Sequence, residues 1–282
     1  MNFTKAIESY KSYLVVEKTL TDNSVGAYIS DLNKFSQFCR NKGIVTPENV
    51  TEETIKDYLS AIEHSGINTR TQARTLSSLR SFFKYLTADH QIDNNPAIVI
   101  GMPKITPSKP TILTVEEIDN IKNAGEKYKP ENSRNRAIIE MLYSCGLRVS
   151  EVVSLKASNL NIAKAIVKIE GKGNKSRTLK LNDRTITEIK QYLNFYRNYI
   201  PIEPAYKDIF FLNNRGKSLS RVIIFNIVKA CSEKAGIRKK VSPHTLRHSI
   251  ASHMIDNGID LQEVRDMLGH ESILSTEIYV KN

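Results

Sequence analysis

Residues 95–114 read NPAIVIGMPKITPSKPTILT, and this stretch decides how the chain is organised. Four of the nine prolines fall within it: Pro96, Pro103, Pro107 and Pro110. Proline fixes φ, removes a backbone donor and pushes the preceding residue towards extended geometry, so neither a helix nor a central strand survives this spacing. The stretch reads as an extended connector. It divides the 282 residues into a first domain over 1–95, a linker over 96–113 and a second domain over 114–282.

Upstream of the connector the pattern is helical throughout. Ile7, Tyr10 and Leu14 recur at three- and four-residue steps. In SVGAYISDLNKFSQFCRNKG (residues 24–43), Tyr28, Leu32, Phe35 and Cys39 form one stripe that stops at Gly43. A third helix is expected over residues 52–62, ending near Gly66. A fourth is expected over 71–86, with Leu76, Leu79, Phe83 and Leu86 facing inward. The expectation is a compact four-helix bundle. Arg70, Arg74, Arg80 and Lys84 lie on or near the last helix. They read either as a solvated face or as phosphate contacts.

Downstream, TVEEIDNIKNAG opens on Thr114 and two early acids, a helix start. Another helix over residues 134–145 is stopped at Gly146. The period then changes: AIVKIEGKGNKSRTLKL (165–181) is two β-rich runs about a GKGN turn, which reads as a hairpin. Helical patterns return over 185–196, 221–235, 244–257 and 261–268. The expected fold class is mainly α: a four-helix bundle followed by a mostly helical domain with a small antiparallel β-sheet.

Composition narrows the function classes. Lys plus Arg number 41 and Asp plus Glu 30, a net +11. The excess is uneven: residues 1–105 carry 12 basic and 11 acidic side chains, residues 106–282 carry 29 and 19. A basic second half suits a polyanionic partner. Three scattered cysteines, Cys39, Cys145 and Cys231, exclude a disulfide scaffold and fit a reducing compartment. The opening MNFTKAIESY has no signal-like apolar core, and no apolar run approaches the roughly 18 residues that span a membrane. A cytoplasmic protein is expected.

Four short clusters could carry chemistry. Gly146-Leu147-Arg148-Val149-Ser150-Glu151 places an arginine just past a helix stop with a carboxylate three residues on. It reads as a phosphate fork or as an ordinary ion pair. Gly171-Lys172-Gly173-Asn174-Lys175 puts lysines at a hairpin tip without the spacing of a Walker loop. Ser242-Pro243-His244-Thr245-Leu246-Arg247-His248 is a helix start that brings His244, Arg247 and His248 onto one face. No HExxH glutamate or third ligand supports zinc there, so no metal is expected. Leu268-Gly269-His270-Glu271 is followed, nine residues after His270, by Tyr279.

Taken in order, these clusters resemble the tyrosine recombinase (phage-integrase) family, and HTLRHS and LGHESI are most similar to its Xer branch. The resemblance covers nearly the whole chain, since the helical first half and linker match the family's core-binding domain. It implies a DNA strand-breaking and rejoining enzyme without a cofactor. Arg148 and Arg247 would clamp the scissile phosphate. Tyr279 would be the nucleophile, giving a 3′-phosphotyrosyl bond and a free 5′-hydroxyl. Lys172 would protonate the departing 5′ oxygen, His244 would assist proton transfer at the tyrosine, and His270 would hydrogen-bond the phosphate. Glu151 and His248 would support the site, while Lys175 and Arg177 join Arg70, Arg74, Arg80 and Lys84 as expected DNA contacts. Double-stranded DNA at a specific site is the implied partner, with a dimer on each site and a tetrameric synapse. The departure is at the C-terminus. Only Val280, Lys281 and Asn282 follow Tyr279, where such proteins usually continue into a helix that docks on a neighbouring protomer. Assembly through other contacts, or a shortened form, is expected in consequence.

Within this reading the expected role is Xer-like resolution of chromosome or plasmid dimers in chromosome segregation, with a mobile-element integrase or excisionase as the alternative. A non-catalytic DNA-binding protein on the same fold would bind DNA without forming an adduct. A type IB topoisomerase-like enzyme would relax supercoils without pairing sites.

Overall fold

The computed structural model describes residues 1–104, 110–125, 129–171 and 176–269. The chain divides into two compact units, Met1–Pro107 and Ser108–Asn282. Lys172, Lys175, His270 and Tyr279, and residues 105–109 of the linker, lie outside the described residues.

The first unit is built from α1 (Phe3–Val16), α2 (Asp22–Asn41), α3 (Glu52–His64) and α4 (Thr69–Ala88). Each begins on a side-chain cap: Asn2, Thr21, Thr51 and Asn68 accept a backbone N–H from the first turn. The apolar stripes meet in one core, where Tyr10, Leu14, Leu32, Phe35, Leu76, Leu79, Phe82 and Phe83 are fully buried. Edge-to-face ring pairs, such as Tyr10–Phe82 at 5.4 Å between centroids, fill its centre. One carboxylate enters this core. Asp31 accepts hydrogen bonds from Ser78 Oγ (3.0 Å) and Arg74 Nη2 (2.9 Å).

The start of the proline-rich stretch is packed on this bundle. Ala97 and Ile100 are buried in its core. Arg80 Nε donates to the Ala97 carbonyl (3.1 Å) and its Nη2 to that of Ile100, while Asn95 Nδ2 donates back to the Arg80 carbonyl (3.1 Å). Ala97 and Ile100 therefore serve as feet for the segment, while Ile98, Val99 and Met102 between and beside them are exposed.

In the second unit the helices are α5 (Val115–Asn123), α6 (Glu131–Ser144), α7 (Val149–Val153), α8 (Asp183–Phe195), α9 (Arg221–Lys234), α10 (Pro243–Asp256) and α11 (Leu261–Leu268). Helix α6 is its centre, packing against α5, α7, α8, α9 and α10. That position explains its sequence, since the run Ala137–Leu142 is buried on every side. The one charge in this run, Glu140, is held by Lys122 of α5 (2.8 Å, both side chains 5% exposed or less) and by Thr185 of α8 (3.3 Å).

Strands β1 (Leu160–Asn161), β2 (Ile166–Glu170) and β3 (Ser176–Lys180) form an antiparallel sheet in the order β1-β2-β3. The β2–β3 register pairs Val167 with Leu179 and Ile169 with Arg177. Val167, Ile169 and Leu179 are buried, and Lys168, Glu170, Thr178 and Lys180 are exposed. Arg177 thus has the inward parity of Leu179. Among the described residues no helix is long and apolar enough to cross a membrane.

Removing one partner of a buried ion pair leaves an uncompensated charge, whereas replacing both with apolar groups is often neutral or better. Lys122→Met is expected to lower the unfolding free energy by about 3–5 kcal/mol. Lys122→Met with Glu140→Leu is expected to recover most of it. Urea unfolding of the full-length variants measures both; equal losses in the single and double variants would contradict the assignment.

Candidate active site

Where α6 ends, Gly146 takes φ +56°, and a Cβ at this position would lie 2.6 Å from Leu268 Cδ2. Both the left-handed backbone and the close approach of α11 require glycine. The chain then enters α7 with Arg148 at its N-cap. The Arg148 backbone N–H donates to Glu151 Oε2 (2.7 Å), and Arg148 Nη1 donates to Glu151 Oε1 (3.1 Å). The carboxylate at the third helical position satisfies an unpaired backbone donor and orients the arginine above it.

Helix α10 starts as its sequence indicates. Ser242 caps it by accepting the Thr245 N–H (3.3 Å), and Pro243 occupies the first helical position. The His244 and His248 rings lie one turn apart, tilted by 32° with centroids 6.3 Å apart, and Arg247 is buried between the elements at 3% exposure. Arg247 Nη1 donates to the Gly146 carbonyl and Nη2 to the Leu268 carbonyl (2.6 Å).

The arginines converge on the end of α11. That helix closes on Gly269 in the left-handed conformation, φ 64° and ψ 48°. Three successive carbonyls there each meet a different arginine. Met267 O accepts from Arg177 Nε (2.8 Å), Leu268 O from Arg247 Nη2 (2.6 Å) and Gly269 O from Arg148 Nη2 (2.8 Å). The last carbonyls of a helix lack intrahelical partners and carry the negative end of its dipole. They therefore let three guanidiniums share one small volume.

Glu151 supplies the remaining counter-charge. Arg177 forks both of its oxygens, Nη1 to Oε1 at 2.8 Å and Nη2 to Oε2 at 2.9 Å. Burial alone would raise the pKa of Glu151. The hydrogen bonds and charge of Arg177, then those of Arg148, more than offset it and hold the group below its ordinary value. Among the described residues, three guanidiniums meet one carboxylate here, a cationic balance that suits a phosphodiester. The histidines respond to the same field. Desolvation, then the charges of Arg247 and Arg148, lower the pKa of His244. Desolvation, then His244 and Arg247, lower that of His248.

The structure therefore brings Arg148, Glu151, His244, Arg247 and His248 together. The sequence supplies His270 directly after Gly269 and Lys172 between β2 and β3, both outside the described residues. Arg177, expected as a DNA contact, is 15% exposed and bonded to Glu151 and Met267. Its inward parity in β3 was the signal available. In the first unit, Arg80 is a structural clasp for residues 97–100, Arg74 is bonded to Asp31, and Arg70 and Lys84 are exposed. Among the described residues no group of three His, Cys, Asp or Glu side chains is placed to hold a metal ion.

Residues 111–282 match the Phage integrase family, and residues 7–90 match the phage integrase N-terminal SAM-like domain. The chain belongs to the phage integrase family. It is 36% identical over 278 residues to tyrosine recombinase XerD of Chlorobaculum tepidum, covering 98% of this chain and 91% of that protein. It is 33% identical over 273 residues to tyrosine recombinase XerD of Staphylococcus haemolyticus, covering 97% and 92%. Among solved structures it is similar to the XerH site-specific recombinase bound to difH substrate in a pre-cleavage complex. That likeness has a TM-score of 0.74 at 25% identity and covers 92% of this chain and 76% of that one. The chain is a Xer-like tyrosine recombinase, with the mainly helical two-part fold of the family.

For this recombinase the lowered histidine values have a definite sign. An unfolded histidine titrates near 6.5 and binds a proton before the folded one does, so this contribution to stability weakens as pH falls through about 6.5. Ring-proton NMR is expected to show His244 and His248 titrating below the ordinary value, and both moving upward when a phosphate-bearing duplex is added. Values at or above 6.5 in the free protein would contradict the arrangement.

Proposed function

We propose that this recombinase cuts and rejoins duplex DNA at a specific recombination site through a covalent link to Tyr279. The observation that carries this reading is the joint anchoring of Arg148 and Arg247 on the end of α11, beside His244 and within a cationic cluster. Arginine donates in a planar fork that matches two phosphate oxygens. Held against helix-end carbonyls, both guanidiniums are oriented before substrate arrives. Preorganised donors of this kind act where charge develops in the transition state.

In the proposed step the Tyr279 Oη attacks the scissile phosphorus and gives up its proton with help from His244. The P–O5′ bond breaks, and Lys172 delivers a proton to the leaving 5′ oxygen. The products are a 3′-phosphotyrosyl link and a free 5′-hydroxyl. A 5′-hydroxyl from a partner strand then reverses the chemistry, so the phosphodiester energy is retained without a nucleotide cofactor. His270 hydrogen-bonds the phosphate, and His248 supports the site. The XerH relative is bound to its difH substrate. By extension we place duplex DNA on this chain, bound as a dimer per site and a tetramer in synapsis. Lysine and arginine contacts to phosphate would make the affinity fall steeply with salt. The biological role we favour is resolution of chromosome or plasmid dimers in the cytoplasm.

Incubation with nicked suicide duplexes carrying candidate recombination sites, followed by a denaturing gel, tests the chemistry. Wild type is expected to form an adduct and Tyr279→Phe none. Arg247→Lys, which loses the fork, is expected to lower cleavage on the order of 100- to 1,000-fold while changing DNA affinity only a few-fold. Specific binding without any adduct would overturn the catalytic reading in favour of a DNA-binding protein.

A further inference from the structure

Arg177 sits where β3 faces the core. It shares the inward parity of Leu179 and lies opposite Ile169 of β2, so an apolar residue would suit its position. Burying a guanidinium there is costly unless every nearby acceptor is matched to it. The matching is close to complete: Nη1 and Nη2 fork Glu151, and Nε reaches the Met267 carbonyl.

These bonds belong to a closed ring. Glu151 holds Arg148 through the backbone N–H and Nη1, and Arg148 Nη2 holds the Gly269 carbonyl. Two residues back along α11, Met267 returns the ring to Arg177. Gly269 completes it sterically, since a Cβ there would lie 3.0 Å from Arg177 Nη1. We propose that Arg177 is a positioning residue for DNA cleavage, which fixes the stance of Arg148 through Glu151 and joins β3, α7 and the end of α11 into one rigid frame.

The proposal rests on the reading of Arg148 as a phosphate-binding residue. Without Arg177, the buried Glu151 keeps Arg148 as its remaining charged neighbour among the described residues. The Arg148 guanidinium would then be drawn onto the carboxylate and away from the phosphate. Lysine cannot replace Arg177, because a single ammonium cannot fork two oxygens and also reach the Met267 carbonyl.

Single-turnover cleavage at saturating protein, DNA affinity against salt, and a cleavage–pH profile form the test. They are to be measured on Arg177→Gln, Arg177→Lys, Arg177→Gln with Glu151→Gln, and Arg148→Ala. The first two are expected to slow cleavage on the order of 100-fold, with affinity changed only a few-fold. Among the described residues, Arg148 and Arg177 are the charged side chains that face Glu151, from the start of α7 and from β3, and the end of α11 brings the Met267 and Gly269 carbonyls to the same arginines. Loss of Arg177 therefore lets Glu151 take up a proton at higher pH. The acid limb of the Arg177→Gln profile is expected to move upward, and the double variant should return it to the wild-type position. If Arg177→Gln melts below the assay temperature, Arg177→Lys carries the rate and affinity arms of the test.

Two results overturn the proposal. One is cleavage at the wild-type rate with a salt slope reduced by about one, which marks a phosphate contact. The other is a rate loss with an unmoved pH profile, which marks a purely structural residue. The two readings fail separately. Wild-type cleavage by Arg148→Ala would remove the catalytic assignment, whereas a dead Arg148→Ala beside an unaffected Arg177→Gln removes only this one.

Discussion

The last turn of α11 is the point on which the site of this recombinase depends. Three guanidiniums within one small volume repel each other, and among the described residues Glu151 is the carboxylate that meets them, one charge against three. A helix C-terminus provides oriented carbonyls at no cost in side chains. Arg148, Arg177 and Arg247 arrive from a helix N-cap, a strand and a helix interior, and each takes a different carbonyl. Remove that helix end and the arginines have no common reference. Gly146 and Gly269 exist to permit the approach, one by admitting Leu268 and the other by admitting Arg177.

The rest of the second unit holds these parts in place. Helix α6 is buried on all sides and gives α7 and α10 a common support. The Glu140–Lys122 pair at its centre links α5 to α6, and Thr185 brings in α8. The pair has little net worth as an attraction, but each partner is strongly needed once the other is present. A similar logic operates around Glu151, where the carboxylate is acceptable only because two arginines meet it.

Much of this was legible in the sequence, for identifiable reasons. The bundle helices followed from long stripes such as Tyr28–Leu32–Phe35–Cys39. The start of α10 followed from Ser242-Pro243, and the hairpin from a change of period around residues 165–181. The cluster of Arg148, His244 and Arg247 followed from an ordered set of motifs. Three things did not follow. Helix α7 spans five residues and β1 two, too few for a period to show. The packing of Ala97 and Ile100 depends on Arg80, a tertiary contact invisible to local pattern. Arg177 sat next to a lysine-bearing turn and took its reading from that neighbourhood. Strand parity pointed inward instead, and its partner Glu151 is 26 residues away.

Because the arginines hold main-chain oxygens at 267–269, the bond to residue 267 is indifferent to its side chain, whereas Gly269 is fixed by the approach of Arg177. Met267 is half-buried and could be exchanged for another residue of similar bulk without altering a single arginine bond. Spacing has no such freedom. One residue inserted or deleted between Val264 and Gly269 would rotate the carbonyl set by about 100° and offer each guanidinium the wrong oxygen. This part of the enzyme is written in register as much as in residue identity, so it tolerates drift at a position such as Met267 and none in length.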